Sequence, residues 1–185
     1  GNIFSQILGT NTNKFKSEKY NKGMEGFVVL DKDLNILKTI FLKEILEENM
    51  ILDDALIRTE YQYDPFHIND VHPFNDPKTG ETIVFMSLRQ FGLLSFNLDT
   101  NKLIWSIVGA TEAQHDVSPL NKNGDVISIF NNGSPKNNLV NNHFQNSLIV
   151  ISNLPISQVN KNPSYFYGGN LKAFGLGYEK YTFDF

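Results

Sequence analysis

Residues 81–108 of the chain read ETIVFMSLRQFGLLSFNLDTNKLIWSIV. The stretch contains three runs of strand-forming residues joined by two short connections, with the runs at 81–88, 93–98 and 103–108. Connections this short join neighbouring antiparallel strands, so the stretch predicts a three-stranded meander. The run Ile83-Val84-Phe85-Met86 is apolar without alternation, which predicts a strand buried on both faces, as between stacked sheets.

The segments on either side of this meander also read as strands. The predicted strands are 2–8, 27–30, 36–40, 67–73, 114–120, 125–130, 147–152 and 181–185, the last with no partner after it. One helix is predicted over 41–50, because Leu42, Ile45, Leu46 and Met50 recur at helical spacing. The chain is therefore predicted to be all-β with a single short helix.

A repeat within the chain points to the arrangement of these strands. In both 27–37 and 94–105 a strand ends at an aspartate, Asp31 or Asp99, and a short polar turn leads to the next strand. Two further strands precede the second copy, which gives the four antiparallel strands of a β-propeller blade. At roughly 40 to 50 residues per blade, the chain supplies about three to four blades of a larger propeller within one domain, 1–185. A β-sandwich is the alternative architecture.

Composition excludes several classes of protein. The chain has 185 residues, 41% of them hydrophobic, and a formal net charge of −4. Because the chain has no basic run longer than the one at 14–19, nucleic acid and anionic membranes are not expected partners. Cysteine is absent, which excludes disulfides, thiolate metal sites and a cysteine nucleophile. No apolar stretch is long enough to span a membrane, and 1–13 lack the features of a signal peptide.

Polar groups among the strands mark the candidate site. Residues 64–71 read DPFHINDV, and alternation in a regular strand places His67 and Asn69 on one face with Asp70 on the other. Arg89 follows the strand predicted to be buried on both faces, and His115 lies in a later strand. In a propeller these side chains could meet in the central channel, where two imidazoles, a guanidinium and an amide suit an oxyanion such as sulfate or phosphate.

Two other interpretations of these residues remain open. A metal could bind His67, His115 and a carboxylate, although alternation directs Asp70 and Asp116 away from that face; no metal is predicted. In a purely structural interpretation, the polar groups at the strand ends are hydrogen-bond anchors between blades, with Arg89 and His67 paired to protein groups.

The order of several short motifs resembles that of the arylsulfotransferase family, in the broader branch that carries Gln-His-Asp. The motifs, all within the region of resemblance from about 27 to 133, are Asp64–Val71, Phe85–Arg89, Leu103–Gly109, Gln114–Asp116 and Ile129–Gly133. The resemblance implies a six-bladed β-propeller, of which this chain is a segment that packs against the remaining blades. It also implies a periplasmic or secreted location.

The resemblance further implies a transferase that moves a sulfuryl group from an aryl sulfate ester to a phenolic acceptor without a cofactor. His115 matches the histidine that becomes sulfated, and His67, Asn69 and Arg89 match positions for oxyanion binding or acid-base chemistry. A neutral imidazole suits the nucleophile, and His67 could protonate the leaving phenolate. The alternative is an inactive propeller that binds a small anionic or aromatic ligand, or a scaffold.

Overall fold

The structure of the protein is a computed structural model. It describes residues 3–7, 25–51, 66–89, 91–111, 113–132, 146–158 and 161–182. In chain order the elements are β1 (Ile3–Ile7), β2 (Gly26–Leu30), β3 (Ile36–Phe41), α1 (Leu42–Glu48), β4 (Ile68–Asn75), β5 (Thr82–Leu88), β6 (Gly92–Asn97), β7 (Lys102–Val108), β8 (His115–Pro119), β9 (Val126–Asn131), β10 (Ser147–Ser152), β11 (Ser164–Tyr167), a 3₁₀ helix (Gly168–Phe174) and β12 (Gly177–Thr182). The all-β prediction is confirmed.

The strands form three sheets. Sheet I has the order β1-β2-β3, sheet II the order β11-β7-β6-β5-β4 and sheet III the order β12-β10-β9-β8. All pairs are antiparallel except β11, which joins β7 in parallel. Four strands of sheet II therefore follow one another as the predicted meander, and sheet III repeats that plan.

Sheet II is covered on both faces. Along β5, Val84 and Met86 belong to a core shared with sheet I and α1. The alternating residues Ile83 and Phe85 belong to a second core, shared with sheet III, in which Trp105 is fully buried. The prediction of a strand buried on both faces is confirmed, and three stacked layers exceed the two sheets of a simple sandwich.

A close approach of the backbone marks the structural repeat. Gly26 begins β2 and Gly92 begins β6, and a Cβ at either position would overlap the carbonyl oxygen of a neighbouring strand, Ile40 or Ile107. Strands β1-β2-β3 thus correspond to β5-β6-β7. This is the correspondence that Asp31 and Asp99 predicted from the sequence.

Several predicted elements need correction. The predicted strand 67–73 begins at Ile68, and His67 lies outside it. Met50 lies beyond α1 and is 91% exposed, so it does not belong to the buried face of the helix. At the C-terminal end, β12 pairs with β10, so the strand predicted at 181–185 has a partner; 183–185 lie outside the described residues.

Other predictions fall on parts of the chain that the structure does not describe. They are the turn at Asp64-Pro65, the basic run 14–19 and the polar segment 134–145. Within the described ranges, no helix combines the length and apolar character needed to cross a membrane.

Candidate functional site

A buried carboxylate holds the backbone at His67. His67 has φ = 48°, in the left-handed region that side chains other than glycine rarely adopt. The N–H of His67 donates to Glu25 Oε1 at 2.8 Å, and the N–H of Ile68 donates to Oε2 at 2.5 Å. Glu25 immediately precedes β2 and is only 2% exposed. Glu25, just before β2 of sheet I, therefore fixes the backbone conformation of His67 just before β4 begins in sheet II.

A β-bulge follows at once. Ile68 pairs with Leu88 and Asp70 pairs with Ser87, so Asn69 is an extra residue in β4. A bulge breaks the alternation of side chains along a strand. The bulge thereby redirects the side chains of Asn69 and Asp70.

Both Asn69 and Asp70 reach sheet III. Asn69 Nδ2 donates to the Gln114 carbonyl at 2.6 Å, and Asp70 Oδ2 accepts from the Val117 N–H at 2.9 Å. The prediction that Asp70 points away from the side that Asn69 faces is therefore wrong. It assumed a regular strand.

The same irregularity occurs at the start of sheet III. His115 pairs with Phe130 and Val117 pairs with Ile129, which leaves Asp116 as the extra residue, with φ = 50°. Asp116 is exposed and forms no side-chain hydrogen bond with another described residue. A bulge thus begins each of the strands β4 and β8, which contact each other.

Asn69 and His115 occupy matching sequence positions at the start of these two strands, although the extra residue of the bulge is Asn69 in β4 and Asp116 in β8. Each is followed by Asp-Val, and each stands two residues after a residue with positive φ: His67 at 48° and Ala113 at 49°. Equivalent positions at the start of adjacent, similarly built strands lie close together. The structure places Asn69 Nδ2 3.4 Å from His115 Nε2.

The hydrogen bonds also orient the groups in this pair. The Gln114 carbonyl is only an acceptor, so the Asn69 atom 2.6 Å from it must be the amide nitrogen. The same nitrogen can offer its second hydrogen to His115 Nε2 only if that atom carries a lone pair. The contact at 3.4 Å is therefore a weak hydrogen bond in the tautomer that carries its proton on Nδ1.

Arg89 lies beside His67 through the main chain. Its N–H donates to the His67 carbonyl at 3.0 Å, because β5 ends opposite the start of β4. The side chain is exposed, and its guanidinium forms no ion pair or hydrogen bond with the described part of the chain. The structural interpretation required Arg89 to be paired with a protein group, and no such pair is seen among those residues.

The predicted residues therefore meet in two pairs at the start of β4. Asn69 contacts His115, and Arg89 is bonded to His67 two residues earlier. All except the exposed Arg89 are partly buried. His72 is also partly buried, in the middle of β4.

Asp70 has a perturbed acidity. Loss of water around the carboxylate raises its pKa above the ordinary value of 3.8, and the charge of Asp116 adds to the rise. His72 and the Val117 N–H oppose it. Asp70 is therefore protonated more readily than an ordinary aspartate.

The sequence analysis assigned no role to two residues that shape the site, Glu25 and Gln114. Glu25 stands 42 positions before His67. Gln114 is fully buried, and its amide donates to the carbonyls of Leu88 and Gly92. No sequence signal identifies either contact, since each joins different sheets. The described residues contain no group of three histidine, aspartate or glutamate side chains that could hold a metal.

Comparison with known proteins gives one match. The family model described as arylsulfotransferase (ASST) matches residues 34–166, which is well over half of the chain and includes every predicted site residue. The comparisons with curated proteins and with solved structures gave no significant match.

Proposed function

This chain belongs to the arylsulfotransferase family, and we propose that its site transfers a sulfuryl group from an aryl sulfate ester to a phenol through sulfated His115. The observation that carries the proposal is the 3.4 Å contact between Asn69 and His115. It joins two predicted residues from different sheets, and with the imidazole proton on Nδ1 the lone pair of Nε2 is available to act as a nucleophile.

In the first half-reaction, the lone pair of His115 Nε2 attacks the sulfur of the aryl sulfate. An N–S bond forms while the bond between sulfur and the aryl oxygen breaks, and the electron pair leaves on the phenolate. His67 protonates that oxygen as a general acid. The products are a free phenol and a sulfated His115.

The second half-reaction reverses these events with a new phenol. The neutral His67 takes the acceptor's proton, the phenolic oxygen attacks sulfur, and the N–S bond returns its electrons to Nε2. The imidazole and His67 both regain their starting forms, so the cycle consumes no cofactor.

Charge on the transferring group requires fixed donors. The sulfuryl oxygens carry the developing negative charge, as the equatorial oxygens do in phosphoryl transfer. The exposed guanidinium of Arg89 supplies a fork of donors for them. The Asn69 amide, freed from Nε2 once that atom bonds sulfur, supplies another donor.

The stacked sheets support a propeller as the setting of this chemistry. In sheets II and III the first strand of each meander lies next to its counterpart, since β4 contacts β8. The innermost strands of blades have this relation in a propeller. The proposal assigns the three sheets to successive blades and the site to their inner strands.

The test uses a chromogenic aryl sulfate with and without an added phenol. We expect release of the donor phenol that depends on the acceptor, and a mass increase of one SO₃ on the His115 peptide when acceptor is omitted. His115→Asn should abolish both, whereas His72→Asn should retain them. No turnover and no modified peptide in the unaltered protein would refute the proposal.

Arg89 supports one alternative function. An exposed guanidinium without a partner in the described ranges also suits a site that only binds anions. Sulfate binding that is lost in Arg89→Gln, together with no turnover, would favour that function over transfer.

A further inference from the structure

Gln114 connects sheet III to sheet II at four points. Its Nε2 donates to the carbonyls of Leu88 at 2.6 Å and Gly92 at 3.0 Å. The main-chain carbonyl of Gln114 accepts from Asn69 Nδ2 at 2.6 Å and from Ser87 Oγ at 3.2 Å. All four partners belong to sheet II, whereas Gln114 immediately precedes β8 of sheet III.

Three of the proposed site residues adjoin these contacts. Leu88 and Gly92 are the two ends of the β5–β6 turn, and Arg89 lies in that turn. Asn69 bonds the Gln114 carbonyl directly, and His115 is the next residue along the chain. A shift of Gln114 would therefore change the distances from His115 to both Asn69 and Arg89.

We infer that Gln114 is a positioning residue, which sets the place of the reacting imidazole relative to the anion-binding groups of sheet II. The inference rests on the proposed function. Gln114 is completely buried beneath the site and acts through its neighbours.

The chemistry of the side chain favours this role over packing. An amide nitrogen offers two hydrogens at a fixed angle, which matches the two carbonyls at the ends of the turn. Its Oε1 accepts no hydrogen bond in the described part of the chain, and burying such an atom costs free energy that an apolar side chain would avoid. The two donated bonds offset that cost.

The experiment compares Gln114→Met with Gln158→Met in the full chain. Gln158 Nε2 donates to the Leu103 carbonyl at 2.7 Å, a bond of the same type on the same sheet but distant from the proposed site. Both variants should lower the Tm. Only Gln114→Met should lower kcat, by roughly 10- to 100-fold, because small misplacements of reacting groups have effects of that size. An equal kcat in the two variants would overturn the inference.

Nitrogen NMR of the His115 imidazole separates this inference from the proposed function. In the unaltered protein the spectrum should show the proton on Nδ1, and Gln114→Met should move those signals while Gln158→Met leaves them unchanged. That result without any turnover would refute the transfer reaction and support the positioning role. Signals unchanged in both variants would overturn the positioning role, whether or not the protein is active.

A pH profile adds a third observation. Gln114→Glu supplies no donor when ionised, but its protonated form can donate to one carbonyl. Its kcat relative to that of the unaltered protein should rise as the pH falls. A ratio independent of pH would contradict the requirement for a donor.

Discussion

Replacement of Glu25 should affect both stability and the site. Each carboxylate oxygen accepts one backbone N–H, from His67 and from Ile68, at 2.8 and 2.5 Å. Hydrogen bonds to charged groups contribute about 1.5 to 3 kcal/mol each. Glu25→Ala removes both acceptors in a buried place, so we expect a loss of about 3 to 5 kcal/mol.

Glu25→Gln provides the graded comparison. The amide oxygen can still accept one N–H, while the amide nitrogen opposes the other, so the expected loss is about 1.5 to 3 kcal/mol. His67→Ala is the comparison for the side chain, because the bonds that the His67 and Ile68 N–H groups donate to Glu25 survive that change. It should cost less than Glu25→Ala, which removes both of those bonds.

Urea denaturation at constant pH measures these differences in the free energy of unfolding. An unchanged slope m would show that each variant exposes the same surface area on unfolding. The order of stability should be the unaltered protein, then Glu25→Gln, then Glu25→Ala. If Glu25→Ala cost less than about 1 kcal/mol, the carboxylate would not be the support of the left-handed turn at His67.

Two further substitutions test the close backbone approach at Gly92 and the acidity of Asp70. Gly92→Ala would place a Cβ against the Ile107 carbonyl at a residue with φ = 138°, and its free energy of unfolding in urea should fall by about 3 kcal/mol or more. The control is Gly80→Ala, at φ = 74° with open space around it, which should cost only about 1 to 2 kcal/mol. Equal losses in the two variants would contradict the importance of the close approach. Because burial raises the pKa of Asp70, the folded state binds its proton more tightly than the unfolded chain does, so this residue's contribution to stability falls as pH rises from 3.8 through the raised pKa. Asp70→Asn keeps an oxygen for the Val117 N–H and should abolish that fall; the same pH dependence in both proteins would show that another group is responsible.

Strand order was predictable from the sequence because it depends on local patterns. The runs 81–88, 93–98 and 103–108 are separated by connections too short for anything except antiparallel neighbours, and the structure has β5, β6 and β7 there. The unbroken apolar run in β5 likewise reports burial on both faces without reference to any other segment. Predictions from such local patterns do not depend on the exact register of strand pairing.

The direction of the site side chains was not predictable in the same way. A bulge is a property of two paired strands, and nothing within residues 67–71 states that Asn69 will oppose no residue of β5. The same limitation applies to Glu25, whose partners lie 42 and 43 positions further along the chain. Alternation therefore placed Asn69 and Asp70 on opposite faces, whereas the structure has both side chains bonded to the chain around β8, at Gln114 and Val117.

The start of two adjacent strands is where the site forms. Asn69 and His115 each stand two residues after a residue with positive φ and directly before Asp-Val, and the contact between β4 and β8 brings them together. The extra residue of the bulge is nevertheless Asn69 in β4 and Asp116 in β8. An amide in one copy and an imidazole in the next bring a hydrogen-bond donor into contact with the group that we propose as the nucleophile. The aspartates that follow these two residues differ in their environments. Asp70 accepts a hydrogen bond from the Val117 N–H of sheet III, whereas Asp116 is exposed. The repeat thus supplies the geometry, and the difference between its copies supplies the chemistry.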